Sequence, residues 1–178
     1  MKKKLLGFTM IEIMVVITII SLLAGVAYVN FSGARAESRD KVRQNTLLEM
    51  QLALELYKSQ YEDYPDPGCG AAGWVGPGLQ GTLGTQCDEY IVGLAPDFIS
   101  ALPVDLTQNA VGDHGYAYQV NGERNAYKLM SYQTAEADFV NDYDHDFSRC
   151  PSNFGSTNCG STPDDKTYAV YSFGAEDW

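Results

Sequence analysis

The sequence predicts an α+β fold: a long N-terminal helix, apolar in its first half and amphipathic in its second, packed on a small antiparallel sheet. Three observations predict it. Phe8 to Phe31 is an apolar run with Glu12 as its only charged side chain, and residues 34–61 continue with no proline. Residues 115–133 alternate apolar and polar side chains on both sides of Asn121-Gly122. The 178 residues and 45% hydrophobic content suit one ordinary domain with a buried core.

The apolar run is long enough to span a bilayer, whose core needs about 20 mostly apolar helical residues. Lys2, Lys3 and Lys4 precede it and would stay on the cytoplasmic side, placing the rest of the chain outside. A secretory signal peptide fits poorly, because the run is too long and Ser21-Leu22-Leu23-Ala24 makes a weak cleavage site. Beyond the run, Arg35, Glu37, Arg39, Asp40, Lys41 and Arg43 read as a charged collar. Leu47, Met50, Leu54, Tyr57 and Tyr61 then recur at spacings of three and four, one face of a helix packed on a globular head. Residues 8 to about 61 read as one helix, with Gly25 and Gly33 as its most extensible points.

Pro65 and Pro67 end that helix. Residues 66–87 contain seven glycines and two prolines and read as a surface excursion anchored by Trp74. The alternation over 115–133 predicts a hairpin about Asn121-Gly122, and "TYAVYSF" at 167–173 predicts a third strand. About three strands over the amphipathic helix would bury a core that neither could form alone.

Gly7-Phe8-Thr9-Met10-Ile11-Glu12 ahead of an apolar helix resembles the class III leader of type IV pilins and type II secretion pseudopilins. "YKSQYEDYPD", "FISALPVD" and the closing "YSFGAEDW" resemble segments of the major pseudopilin, with Leu106 where that family usually has proline. The resemblance implies residues 1–7 as leader and 8–31 as membrane and filament-core helix. Residues 32–64 become its amphipathic continuation and 65–178 the head. It further implies a prepilin peptidase that cuts after Gly7 and methylates the Phe8 amine. Glu12 would meet the amine of a neighbouring subunit, since an unpaired charge in an apolar core is penalised. Partners would be other pilin or pseudopilin subunits, an inner-membrane assembly platform and the membrane itself. The head would lie outside the cytoplasm, first on an anchored precursor and then on a surface or periplasmic filament.

Four cysteines outside the cytoplasm suit disulfides. Three pairings are open. Cys69 with Cys87 and Cys150 with Cys159 close the shortest loops, while zinc lacks a Cys-x-x-Cys motif and has only His114 and His145 to help. Asp142, Asp144 and Asp146 alternate as at the start of many calcium loops, but Phe147 and Asn153 stand where an EF-hand needs glycine and glutamate. A calcium loop and a solvated acidic loop both fit, and no other cofactor is expected.

The chain carries a formal charge of −11, and losing the leader lysines leaves 9 basic against 23 acidic residues, or −14. Such a surface disfavours nucleic acid. No nucleophile stands in a recognisable catalytic setting, so an enzyme is not expected. The expectation is a structural subunit of a type IV pilus-like filament, with a type II secretion pseudopilin as the near alternative. The rival from another class is a monomeric membrane-anchored exodomain that binds calcium or a ligand.

Overall fold

A computed structural model describes residues 7–80, 83–105, 107, 114–140, 146–148 and 166–175, and within the helix the side chains of residues 26–32 lie outside that description. Helix α1 runs unbroken from Met10 to Tyr61, through both Gly25 and Gly33. It stops at Glu62, which adopts a left-handed conformation and donates its N–H to the Lys58 carbonyl, before Pro65 would break the ladder anyway. In the apolar half, the Thr18 and Ser21 hydroxyls donate to the carbonyls of Met14 and Ile17, so these two hydroxyls are satisfied within the helix. Among the described residues no helix is long and apolar enough to cross a membrane. The apolar run of the sequence extends to Phe31, into the residues whose side chains are not described.

Among the described residues the sheet has five strands: β1 (Trp74–Gly76), β2 (Gly84–Gln86), β3 (Gly115–Val120), β4 (Tyr127–Tyr132) and β5 (Tyr168–Tyr171). Their order is β2-β1-β3-β4-β5, antiparallel except for the parallel pair β1 and β2. Tyr116, Tyr118, Tyr127, Leu129, Tyr168 and Val170 point to one face and meet Leu47, Met50 and Leu54 of α1 in the main core. The predicted helix stripe is therefore buried through Leu54. Tyr57 is half-buried, while Tyr61 is exposed and keeps ring contacts with Tyr57 and Phe98.

Two expectations are corrected. Residues 66–87 are not merely a surface excursion: they supply β1 and β2, and Leu79 covers the second face of the sheet together with Ala117, Met130 and Ala169. The sheet consequently has five strands rather than about three, buried on both sides. The hairpin is real, but its turn is not a tight Asn-Gly pair. Register pairs Val120 with Tyr127, leaving a six-residue connection in which the Asn121 side chain accepts the N–H groups of Asn125 and Ala126. A local Asx-type bond thus outcompetes the two-residue turn.

Candidate assembly site

At the N-terminal end, Gly7 to Thr9 are non-helical and exposed, and a Cβ added at Gly7 would meet nothing within 4 Å. Thr9 caps the helix. Its hydroxyl accepts the Glu12 N–H at 3.3 Å, and Glu12 Oε2 accepts the Thr9 N–H at 2.8 Å and its hydroxyl at 2.7 Å. This reciprocal capping box satisfies two orphan donors of the first turn. It also answers why a carboxylate tolerates this setting within a single chain: Glu12 is held by its own N-terminus. Around it Met10, Ile11, Ile13 and Met14 are all exposed, an apolar collar with no protein cover.

Where α1 leaves its apolar half, part of the predicted charged collar is interior, while Arg35, Glu37 and Lys41 stay exposed. Asp40 is fully buried and Arg43 is 3% exposed. Arg43 donates from Nε to Asp105 at 2.6 Å, from Nη1 to Asp40 and Glu136 at 2.8 Å each, and from Nη2 to Thr107 at 2.9 Å. Arg39 adds a forked pair with Glu136. Asp40 in turn accepts the backbone N–H groups of Glu136, Ala137 and Asp138 at 2.7 to 3.0 Å. Every buried charge is therefore matched by several charge-assisted hydrogen bonds, the condition for tolerating such burial.

The ionisation of these groups follows from that geometry. The Arg39 bond, followed by Arg43, overcomes partial burial and pulls Glu136 down to about 2. Burial alone would raise Asp105, but the Arg43 guanidinium and the Thr107 hydroxyl and amide leave it below its ordinary value. Burial opposes the charge on Arg43, yet Asp105 and Glu136 hold it more firmly protonated than usual.

Cys69 and Cys87 form a disulfide with a Cα–Cα separation of 6.0 Å. It joins the loop after α1 to the end of β2. Cys150 and Cys159 lie outside the described residues, as do Asp142 and Asp144, while Asp146 is exposed. Among the described residues no group of three His, Cys, Asp or Glu side chains could hold a metal ion. The structure therefore places Gly7 and Phe8 just ahead of the Thr9–Glu12 cap, with contacts to Glu12 made by Thr9, and separately joins Cys69 to Cys87. Sequence reasoning missed Asp105 and Glu136, which stand 62 and 93 residues from Arg43 and carry no local signal.

Residues 2–28 match the prokaryotic N-terminal methylation motif. The chain is 29% identical to the type II secretion system core protein G of Escherichia coli over 125 residues, 70% of this chain and 79% of that protein. It is 31% identical to the protein of the same name from Aeromonas hydrophila over 64 residues, 36% of this chain and 45% of that one. No solved structure matches the chain significantly. The chain thus joins an N-terminal methylation motif and homology to core protein G to one long helix laid over a largely antiparallel sheet, an arrangement consistent with a pilin-like fold.

Proposed function

We propose that the chain is the structural subunit of a type IV pilus-like filament, and that of the known kinds the pseudopilus of a type II secretion system fits it best. The observation that carries this is the likeness to core protein G over 79% of that protein's length. In this reading the precursor sits in the inner membrane through residues 8–31, and a prepilin peptidase cuts after Gly7 and methylates Phe8. The assembly platform then extracts the subunit into a periplasmic filament. The role is structural rather than enzymatic.

Glu12 is the assembly residue. Within one chain it is satisfied by Thr9, but the apolar side chains around it leave a neighbouring subunit's amine as the partner that repays its transfer into a filament core. The test is Glu12→Ala in cells supplying the peptidase and the platform. Membrane insertion and cleavage are expected to continue, with filaments lost or reduced at least tenfold by electron microscopy of sheared material. Normal filaments from the variant would refute the role. The second reading, a displayed surface pilus, is favoured by one observation: the Cys69–Cys87 loop and its two strands build an extra flank on the sheet.

A further inference from the structure

The half of α1 that packs on the sheet also presents apolar side chains to the outside. Leu48, Leu52 and Leu56 are 48%, 62% and 51% exposed, although they belong to the same helix as the buried Leu47, Met50 and Leu54. At four-residue spacing they form one ridge, continued by the uncharged Asn45 and Ser59 and flanked by Glu49 and Glu55.

Two features of the ridge point to what covers it. Leu48 follows Glu12 by 36 residues, about ten turns at 3.6 residues per turn, so the ridge continues the helix face on which Glu12 stands. The subunits also carry a net acidic charge, and the three leucines give two copies an uncharged surface to share between the flanking glutamates. Its three leucines fall well short of the ~800 Å² per partner of a stable interface. The ridge is therefore too small to hold two free heads together, and it acts where the apolar half of α1 already aligns the copies.

A complementary surface lies on the same molecule. Between α1 and the segment that ends at Asp105 is a mainly apolar groove of about 260 Å³, lined by Val42, Thr46, Pro103, Val104 and Tyr116 and, in its polar part, by Ser38, Arg39, Arg43 and Asp105. Val42 and Val104 are half-exposed at its rim. Val42 lies about a quarter turn around α1 from Leu52 and ten residues nearer the membrane end, or about 15 Å along the axis. Ridge and groove thus occupy different faces at different heights. Their pairing is heterologous, and a heterologous pair that does not close builds an open helical array.

We propose that the Leu48–Leu52–Leu56 ridge of one copy docks into the Val42–Val104 groove of a second copy, staggered by about 15 Å along the helix axis. This rests on the filament reading above and assigns it a second contact, in the heads rather than in the apolar core.

The test places a photo-crosslinking amino acid at position 52 of the full-length chain in cells that assemble it, with a second probe at position 17 in the apolar half. The expected result is a covalent dimer from each probe, with the position 52 adduct mapping to residues 42–46 or 103–105 of the second copy. Val104→Glu should lower the yield at position 52, relative to that at position 17, at least fivefold. Dimers from position 17 alone, or a position 52 adduct only with lipid or another protein, would overturn the ridge-and-groove contact and leave the filament standing. Dimers from neither probe would overturn the filament reading itself, and this contact with it.

Discussion

Arg43 sits in mid-helix with Asp40 one turn before it, while Asp105 and Glu136 arrive from distant loops. Its side chain can reach all three because the guanidinium offers five donors in a planar fork, a geometry lysine lacks. Removing it would strand two buried carboxylates. Arg43→Met should therefore destabilise the head by about 3 to 5 kcal/mol, the usual cost of breaking a buried pair on one side. Arg39→Met, which breaks a partly exposed pair, should cost far less. Urea unfolding of the full chain in detergent micelles measures both, and equal small effects would show that the Arg43 cluster contributes little. None of this was legible locally. The run from Arg35 to Arg43 looks like any solvated charged helix surface, and only the tertiary approach of the Asp105 and Glu136 loops makes part of it interior.

The same cluster is what fastens the segment after β4 to α1. Glu136 and Asp105 both have carboxyls held below their ordinary values, so the sign of the pH effect is fixed. Their contribution is fully present above the ordinary glutamate value near 4.5 and is lost as pH falls toward the Glu136 value of about 2. The melting temperature should be nearly flat from pH 7 to 5 and then fall toward pH 2. In Glu136→Gln the fall below pH 4.5 should be smaller, and an unchanged profile would contradict the shift. The elements themselves were unequally readable. The helix, its end at Tyr61, β3, β4 and β5 follow from periodicity and breakers in the sequence. β1 and β2 do not, because three-residue strands containing Gly76 and Gly84 have no room for an alternating pattern. The glycines there serve close approach: a Cβ would fall 2.1 Å from the Tyr116 carbonyl at Gly76 and 2.2 Å from the Trp74 carbonyl at Gly84.

For the whole molecule, the leader motif predicts a mature chain shorter than the precursor. Intact mass of the protein from cells expressing a prepilin peptidase should begin at Phe8, carry one added methyl, and lack two hydrogens for each disulfide. A mass retaining Met1 to Gly7, with the peptidase active on a control, would favour the anchored exodomain. The N-terminal motif was the most legible part of the candidate site, because few sequences combine a short basic leader, a glycine, a phenylalanine and a glutamate at those places ahead of an apolar helix. The stretch between Val140 and Lys166 is tied down where it leaves and rejoins the described fold. Its approach is pinned by the three amides on Asp40, and its return by the Lys166 carbonyl, which accepts the N–H groups of Thr134 and Ala135. Entry and exit are thus clamped side by side on the finished fold. Between them the Phe147 carbonyl accepts the Ala169 N–H at 2.9 Å, and the Phe147 ring meets Tyr168 edge-on. That contact occupies part of the outer edge of β5, which left bare would be a template for pairing with a foreign strand and so for aggregation.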